Sequence, residues 1–277
     1  MTTLLLYLFY GLVAGFSELA PVSASGHRML FPTLLAFDST RPLLQLFVHA
    51  GALGALLLLY WQRISHIYQQ IQLMRLPPSR RKRLPDTAAL LDGRLVMSAM
   101  IPTILGVLLS GIGSKYCFHL LGMGVLLLAG GALIYVPDYV PGGDRQNGAM
   151  SQLDGILLGL CAVAGVIPGV SRVGLMLAVG LLRKCDRSYL LDIVMLISAL
   201  MLGAMVTVDF VSIPFAGFHG YSATFLIGCI LAGAASFGGS VGAVLTMRFL
   251  AVKTGFSGFA YYSWGLGLFS LILYLMV

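Results

Sequence analysis

Charged residues are scarce in this sequence, and their scarcity excludes most soluble architectures. Only 10% of the 277 residues are Asp, Glu, Lys or Arg, whereas 58% are hydrophobic. A water-soluble domain carries about 25% charged residues because its surface must face water. Most of this chain's surface must therefore face something else. The composition predicts an all-α polytopic membrane protein, since helices satisfy their own backbone hydrogen bonds inside lipid.

Long apolar runs support the same prediction. Six of them are long enough, or nearly so, to cross a hydrocarbon core of about 30 Å. These runs cover residues 43–61, 95–112, 120–136, 190–208, 225–250 and 259–277, and shorter or interrupted stretches occupy 3–16, 155–167 and 173–182. No polar stretch is long enough to form a soluble domain. We therefore predict a single membrane domain over residues 1–277.

The net charge of +7 does not indicate nucleic-acid binding. The basic residues cluster beside predicted spans, chiefly at residues 75–83 and 183–187. Such clusters are typical of the cytoplasmic ends of membrane helices, where they contact anionic lipid head groups. We place the polar segment 62–94 in the cytoplasm and expect membrane lipids, not nucleic acid, as partners. The sequence leaves the oligomeric state open.

Cysteine is sparse as well. The four cysteines, Cys117, Cys161, Cys185 and Cys229, are far apart in the chain. Their spacing indicates neither a metal site nor a disulfide framework. We predict that they pack inside the membrane region.

Two interruptions of the apolar sequence stand at corresponding places. The first reads Pro-Val-Ser-Ala-Ser-Gly-His at 21–27, and the second reads Pro-Gly-Val-Ser-Arg-Val-Gly at 168–174. A polar segment at 137–153 separates them, so internal repeats are predicted at about 1–136 and 153–277. Corresponding breaks are typical of inverted membrane repeats. The alternative is that small residues simply recur in packed helical bundles.

Broken backbone at membrane depth must be surrounded by protein or water, because lipid offers no hydrogen-bond partner. Pro21 and Pro168 stop a helix, and Gly26, Gly169 and Gly174 permit tight turns. The N–H groups exposed at such breaks, often at a helix N-terminus, favour an anion. Two breaks that meet near the middle of the membrane would form an anion pocket, for which phosphate is a natural guest.

Glutamate is the rarest charged residue, since Glu18 is the only one in the chain. A carboxylate in an apolar segment indicates function or, as the plainer alternative, a helix end at the interface. His27, beyond the Pro21 break, suits nucleophilic or acid–base chemistry near neutral pH. Arg172, in the second break, requires an anionic partner, and its planar fork fits phosphate. An ion pair with Glu18 would also satisfy that arginine.

Hydroxyl-bearing and turn-forming residues of the two breaks are candidates to contact phosphate. These predicted phosphate-binding residues are Ser23, Ser25, Gly26, Gly169, Ser171 and Gly174. We expect Glu18, His27 and Arg172 to converge within hydrogen-bonding reach of one phosphate-sized space. His49, in the next span, is a candidate for the same cavity. Asp209 lies near the end of a predicted span and is predicted to be structural.

In these segments the chain resembles the bacterial undecaprenyl-pyrophosphate phosphatase family, the bacitracin-resistance type of membrane phosphatase. The resemblance extends over nearly the whole chain. It is most specific where Glu18 precedes Pro-Val-Ser and Gly-His, and in the Pro-Gly-x-Ser-Arg of 168–172. It implies a helical bundle of two inverted repeats whose two re-entrant hairpins form the site.

The resemblance also implies an activity. Family members are hydrolases of the bacterial inner (plasma) membrane that remove the terminal phosphate of undecaprenyl pyrophosphate, which recycles the lipid carrier of peptidoglycan synthesis. By this resemblance Glu18 is the base or a metal ligand, and His27 is the nucleophile or base. Arg172 clamps the phosphate.

The chain departs from the family pattern at four polar positions. Where the family has a glutamate one helical turn before Glu18, this chain has Ala14. Where the family has a serine, it has Ala24. A further serine and a threonine of the family are replaced by Val173 and Met176. The family's carboxylate pair could hold a divalent metal, so Ala14 weakens the expectation of Mg²⁺ or Ca²⁺ at Glu18. Three functions stay open: the phosphatase, an altered phosphatase for another phosphate ester, and a non-catalytic relative that binds or translocates a lipid phosphate or other anion.

Overall fold

The structure, a computed structural model, describes residues 2–77, 85–113, 119–140, 143, 145, 150–214 and 221–276. Within these residues the chain forms ten α-helices and no β-strand. The helices are α1 (Thr2–Leu19), α2 (Ala24–Leu35), α3 (Pro42–Arg75), α4 (Thr87–Gly113), α5 (Leu120–Tyr135), α6 (Gln152–Ala164), α7 (Arg172–Leu182), α8 (Arg187–Ser212), α9 (Ala223–Lys253) and α10 (Gly258–Met276). A short 3-10 helix, Val136–Tyr139, extends α5.

Six of the described helices, namely α3, α4, α5, α8, α9 and α10, are long and apolar enough to cross a membrane. They confirm the six predicted spans and a multi-pass membrane protein. The prediction of a polar loop from residue 62 is wrong, because α3 continues to Arg75. Its 34 residues extend about 50 Å at about 1.5 Å per residue, well beyond the hydrocarbon core. The basic residues 80–83 lie outside the described residues.

The remaining helices form two pairs, α1 with α2 and α6 with α7, and a predicted break separates the members of each pair. Helices α2, α6 and α7 contain 12, 13 and 11 residues. Such helices extend only about 17–20 Å, so none of them can cross the bilayer alone. The residues at the two breaks are buried, since Ser23 is 1% and Ser171 5% exposed.

The two breaks are built in the same way. Ser23 caps α2 and accepts a hydrogen bond from the backbone N–H of Gly26, at 3.1 Å. Ser171 caps α7 and accepts one from Gly174, also at 3.1 Å. A serine cap satisfies one of the free N–H groups of the first turn, which is why the helix restarts at this point. Gly169 has φ +94°, and a Cβ there would lie 2.6 Å from a backbone oxygen of α5.

Packing joins the two halves of the chain. Helix α1 lies against α9, α6 lies against α4, α3 contacts both α8 and α9, and α5 pairs with α10. The α1–α9 contact is close because glycines face it: a Cβ on Gly11 or Gly15 would lie 2.1 Å from a backbone oxygen of α9. Small residues allow this approach, which dispersion and hydrogen bonds stabilise in a membrane.

The described cysteines agree with the predicted packing role. Cys185 and Cys229 are buried, Cys161 is half-buried, and all three are free thiols. Cys117 lies outside the described residues.

Candidate functional site

The two breaks meet directly, as the sequence predicted. Ser23 Oγ accepts a hydrogen bond from the backbone N–H of Gly169, at 3.0 Å. Ser25 Oγ lies 3.4 Å from the carbonyl oxygens of both Gly165 and Ile167. The first turn of α2 is therefore held against the backbone that connects α6 to α7.

The guanidinium of Arg172, in the second break, contacts Glu18, just before the first break. Its Nη2 donates to the carbonyl oxygen of Glu18 at 2.9 Å and forms an ion pair with Glu18 Oε2. Both side chains are buried, with exposed fractions of 8% for Arg172 and 2% for Glu18. Arg172 Nε is buried and has no hydrogen-bond partner. The ion pair thus leaves a strong donor unused, which is unusual for a buried polar group.

A second guanidinium approaches the same carboxylate. Arg28 Nη2 lies 3.5 Å from Glu18 Oε1 and 3.4 Å from Nε2 of His49. His49 lies behind Glu18, with Nε2 3.5 Å from Oε1, and its Nδ1 is 2.6 Å from Oδ2 of Asp209. Two carboxylates, two guanidinium groups and one imidazole from α1, α2, α3, α7 and α8 therefore form one connected cluster.

This cluster borders a cavity of about 670 Å³, whose lining includes Glu18, Ser25, Arg28, Arg172 and Asp209. Ligand sites in proteins have volumes of about 300–1,000 Å³. The cavity has room for a phosphate or pyrophosphate group and part of the attached molecule. Arg28, whose side chain is 28% exposed, is the most accessible cation of the cluster.

His27 does not share this cavity, so the expected convergence of Glu18, His27 and Arg172 is wrong for the histidine. His27 Nδ1 donates to the carbonyl oxygen of Ser23 at 2.7 Å, and Nε2 lies 2.5 Å from the hydroxyl of Tyr262. Its ring stacks on that tyrosine and faces a different cavity. Consecutive helical residues point about 100° apart, which is why the residue after His27 faces the Glu18 cluster instead.

Most of the predicted phosphate-binding residues have structural hydrogen bonds of their own. Of the six, only Ser25 lines the polar cavity. In the other five, glycine N–H groups donate to serine hydroxyl oxygens, and their role in binding phosphate stays a prediction. These residues are Ser23, Gly26, Gly169, Ser171 and Gly174.

Sequence reasoning did not select two residues of these cavities, Arg28 and Tyr262. Arg28 precedes the apolar Met-Leu-Phe, and the argument that selected Glu18 would have selected it too. Asp209, which was predicted to be structural, holds His49, and its carboxylate also lines the polar cavity. No sequence pattern marked Tyr262.

The four departures from the family pattern differ in position. Val173 and Met176 are fully buried in the main apolar core. Ala14 packs against a second apolar cluster, to which α1, α2, α3 and α9 contribute. Only Ala24 lines the polar cavity. The local loss of a polar group from this cavity is therefore confined to one side chain.

The residues around Glu18 do not fit a divalent metal. Its two carboxylate oxygens face the guanidinium groups of Arg172 and Arg28. Among the described residues there is no group of three or more His, Cys, Asp or Glu side chains that could hold a metal ion. Mg²⁺ and Ca²⁺ prefer several oxygen ligands, and neighbouring cations repel them. We derive no step through a metal.

These features define a multi-pass helical membrane protein with a buried cluster of arginine and carboxylate side chains where two broken segments meet. The chain belongs to the family described as bacitracin resistance protein BacA, whose model matches residues 7–269. The family resemblance found in the sequence is thereby confirmed.

Several similar proteins carry the name undecaprenyl-diphosphatase. The one from Alkaliphilus metalliredigens is 31% identical, over 95% of this chain and 97% of its own length. The one from Halothermothrix orenii is 25% identical, over 96% of each chain. The one from Neisseria meningitidis is 26% identical, over 97% of this chain and 94% of its own length.

Proposed function

We propose that this protein is a membrane phosphatase that removes the terminal phosphate of undecaprenyl pyrophosphate, in the bacterial inner (plasma) membrane, and so recycles the lipid carrier of peptidoglycan. The family and the names of the relatives support the activity. The observation that carries it is the buried Arg172, which faces Glu18 across two meeting breaks while its Nε lacks a partner.

We also propose that residues 1–136 and 153–277 are inverted repeats with re-entrant hairpins α1–α2 and α6–α7. The order of elements supports this: each half has a pair of helices around a break, followed by three helices that could span the membrane. The contacts agree, since α1 lies on α9 as α6 lies on α4. The identical serine caps of α2 and α7 point the same way.

The proposed chemistry uses the cluster around Glu18. The guanidinium groups of Arg28 and Arg172 bind the pyrophosphate and neutralise the charge that builds up on the transferred phosphoryl group. Once these cations contact phosphate, Glu18 is free to accept a proton from the attacking water. The water oxygen bonds to the terminal phosphorus as the bond between that phosphorus and the bridging oxygen breaks. The lipid monophosphate leaves with the electron pair, and the terminal group is released as inorganic phosphate.

A second candidate function is a non-catalytic relative that binds or translocates a lipid phosphate or another anion. The specific observation in its favour is Ala24, which places a methyl group where the family pattern has a hydroxyl in the polar cavity. The hydrogen bonds of His27 also favour this alternative, because its two ring nitrogens bond Ser23 and Tyr262 and neither faces the cluster. In this alternative the arginines bind phosphate and no bond is broken.

Replacing Glu18 with glutamine separates the two candidates. The amide keeps the size of the side chain but removes the negative charge that competes for Arg28 and Arg172. We expect the variant to bind undecaprenyl phosphate about tenfold more tightly, since one anion no longer occupies the clamp. We expect its release of phosphate from undecaprenyl pyrophosphate to fall about 10²-fold or more, because the proton acceptor is lost.

Isothermal titration and phosphate release would be measured on the same purified protein in detergent. Wild-type protein that binds the lipid phosphate but releases no phosphate would contradict the phosphatase and favour the anion-binding alternative. Loss of lipid phosphate binding in the glutamine variant would contradict a competition between Glu18 and the ligand.

Replacing Arg28 with alanine is expected to weaken pyrophosphate binding more than phosphate binding. The two guanidinium groups lie on opposite oxygens of Glu18, an arrangement that suits a ligand with two phosphate groups. Loss of one charge-assisted contact costs about 1.5–3 kcal/mol, or roughly 10–100-fold in affinity. Competition between the two inorganic anions would measure the effect.

Arg41 provides the matched control for Arg28. It is an exposed arginine that pairs with Asp38, and it does not line the polar cavity. Arg41→Ala should leave both affinities unchanged. Equal losses for phosphate and pyrophosphate in Arg28→Ala would show that Arg28 does not recognise a second phosphate group.

A further inference from the structure

A second, larger cavity lies on the other side of the first break. Its volume is about 880 Å³, and α1, α9 and α10 form most of its wall. Along α9 the lining runs from Gly238 to Leu250, about 18 Å at about 1.5 Å per residue. The cavity is therefore elongated along a membrane-spanning helix.

The chemistry of this cavity is opposite to that of the polar one. Among the described residues that line it, none is Asp, Glu, Lys or Arg. The polar side chains nearest the first break are already engaged: Ser17 donates to a carbonyl of its own helix, and His27 is bonded to Ser23 and Tyr262. A ligand here would find mainly apolar side chains, which favours a hydrocarbon chain.

Three glycines keep this space open without being needed for packing. A Cβ added to Gly238, Gly242 or Gly258 would meet no atom within 4 Å. These positions differ from Gly239, where a Cβ would lie 2.4 Å from a backbone oxygen of α1. Larger side chains at the three open positions would fill the cavity and leave the helix contacts in place.

The two cavities share a wall. Ser17 and Val22 line both of them, and Glu18 follows directly on the polar side. A molecule with a phosphate at Arg172 and a long apolar tail would have the apolar cavity next to its head group. Bilayer lipid alone would not require a cavity that adjoins the anion site.

We propose that the apolar cavity binds the polyisoprenoid tail of the lipid whose phosphate occupies the Glu18–Arg172 site. This inference rests on the proposed function for the head group. It assigns to α9 and to the turn before α10 a role in substrate binding. Residues Gly238 and Gly242 then serve to leave room for the tail.

Gly242→Leu tests the proposal. Full-length protein in detergent would be titrated with undecaprenyl phosphate, with undecaprenol and with inorganic pyrophosphate. The leucine occupies part of the tail site, so we expect affinity for both isoprenoids to fall about tenfold and affinity for pyrophosphate to stay unchanged. Arg172→Ala should lower the affinity for pyrophosphate and leave the affinity for undecaprenol unchanged.

The matched control is Gly265→Leu. Gly265 is an exposed glycine of α10, a Cβ there meets no atom within 4 Å, and it does not line the cavity. This variant should bind all three probes as the wild type does. If Gly242→Leu bound undecaprenol normally, or weakened pyrophosphate equally, the tail assignment would be overturned. If wild-type protein failed to bind pyrophosphate, the head-group proposal alone would fail.

A labelling experiment on wild-type protein covers the case in which Gly242→Leu does not fold. An undecaprenyl phosphate with a photoreactive group in its tail should label the α9 peptide between Gly238 and Leu250. Unlabelled undecaprenyl phosphate should suppress that labelling. Equal labelling by a phosphatidylcholine with the same group would assign the cavity to bilayer lipid and overturn the proposal.

Discussion

Replacing Arg172 with alanine is expected to abolish measurable binding of undecaprenyl phosphate and to lower the stability of the protein. Arg172 is the buried cation that the second break presents to the first, and its Nε has no partner in the protein. Removing a donor that stabilises a transferring group costs about 10²–10³ in rate. Phosphate release would therefore fall by at least that factor.

The stability loss has a separate cause. Without Arg172, the carboxylate of Glu18 keeps only the longer contacts to Arg28 and His49. Removing one partner of a buried ion pair costs about 3–5 kcal/mol, because the remaining charge is left uncompensated. The double variant Arg172→Ala with Glu18→Gln removes that charge. Its thermal stability should recover toward the wild type, while binding of the lipid phosphate stays absent.

Arg183→Ala is the matched control on the same helix. Arg183, at the end of α7, pairs with Asp154, whose side chain is fully buried. Its loss removes a guanidinium from a buried carboxylate but leaves the anion cavity intact. The control should lower the melting temperature and retain lipid phosphate binding. Retained binding in Arg172→Ala would contradict the proposed site.

Sequence reasoning selected the two segments that meet in the structure, because breaks in apolar segments have few explanations. A proline followed by serine and glycine at membrane depth requires protein around it, and both breaks have this composition. The structure joins them through Ser23, Gly169 and the Glu18–Arg172 ion pair. The number of spans was equally accessible, since length and hydropathy decide whether a helix can cross a bilayer.

The direction in which each side chain points could not be predicted from the sequence. His27 and Arg28 are neighbours in the chain, yet they face different cavities because α2 starts at Ala24 and fixes their rotation. The roles of the capping serines could not be separated from phosphate binding, because a hydroxyl at a helix start suits both. The contact of Asp209 with His49 could not be predicted, because the two residues are 160 positions apart in the chain.

Replacing Ala24 with serine is expected to increase phosphate release from undecaprenyl pyrophosphate by about 10²-fold or more. Ala24 is the one departure from the family pattern that lines the polar cavity, whose lining also includes Arg28 and Glu18. A hydroxyl there would lie in the first turn of α2, where it can contact or attack the phosphoryl group. The cavity has space for the added oxygen, so the cost to stability should be small.

Ala234→Ser gives the control, since Ala234 is exposed on α9 and lines neither cavity. It should leave phosphate release unchanged. Val173→Ser is a second comparison. Val173 is fully buried, so the hydroxyl of the introduced serine would destabilise the core without reaching the ligand. If Ala24→Ser binds undecaprenyl phosphate normally but releases no more phosphate than the wild type, one missing hydroxyl does not limit turnover. The His27 ring, which faces the other cavity, would then be the stronger explanation, and anion binding without hydrolysis would be the favoured function.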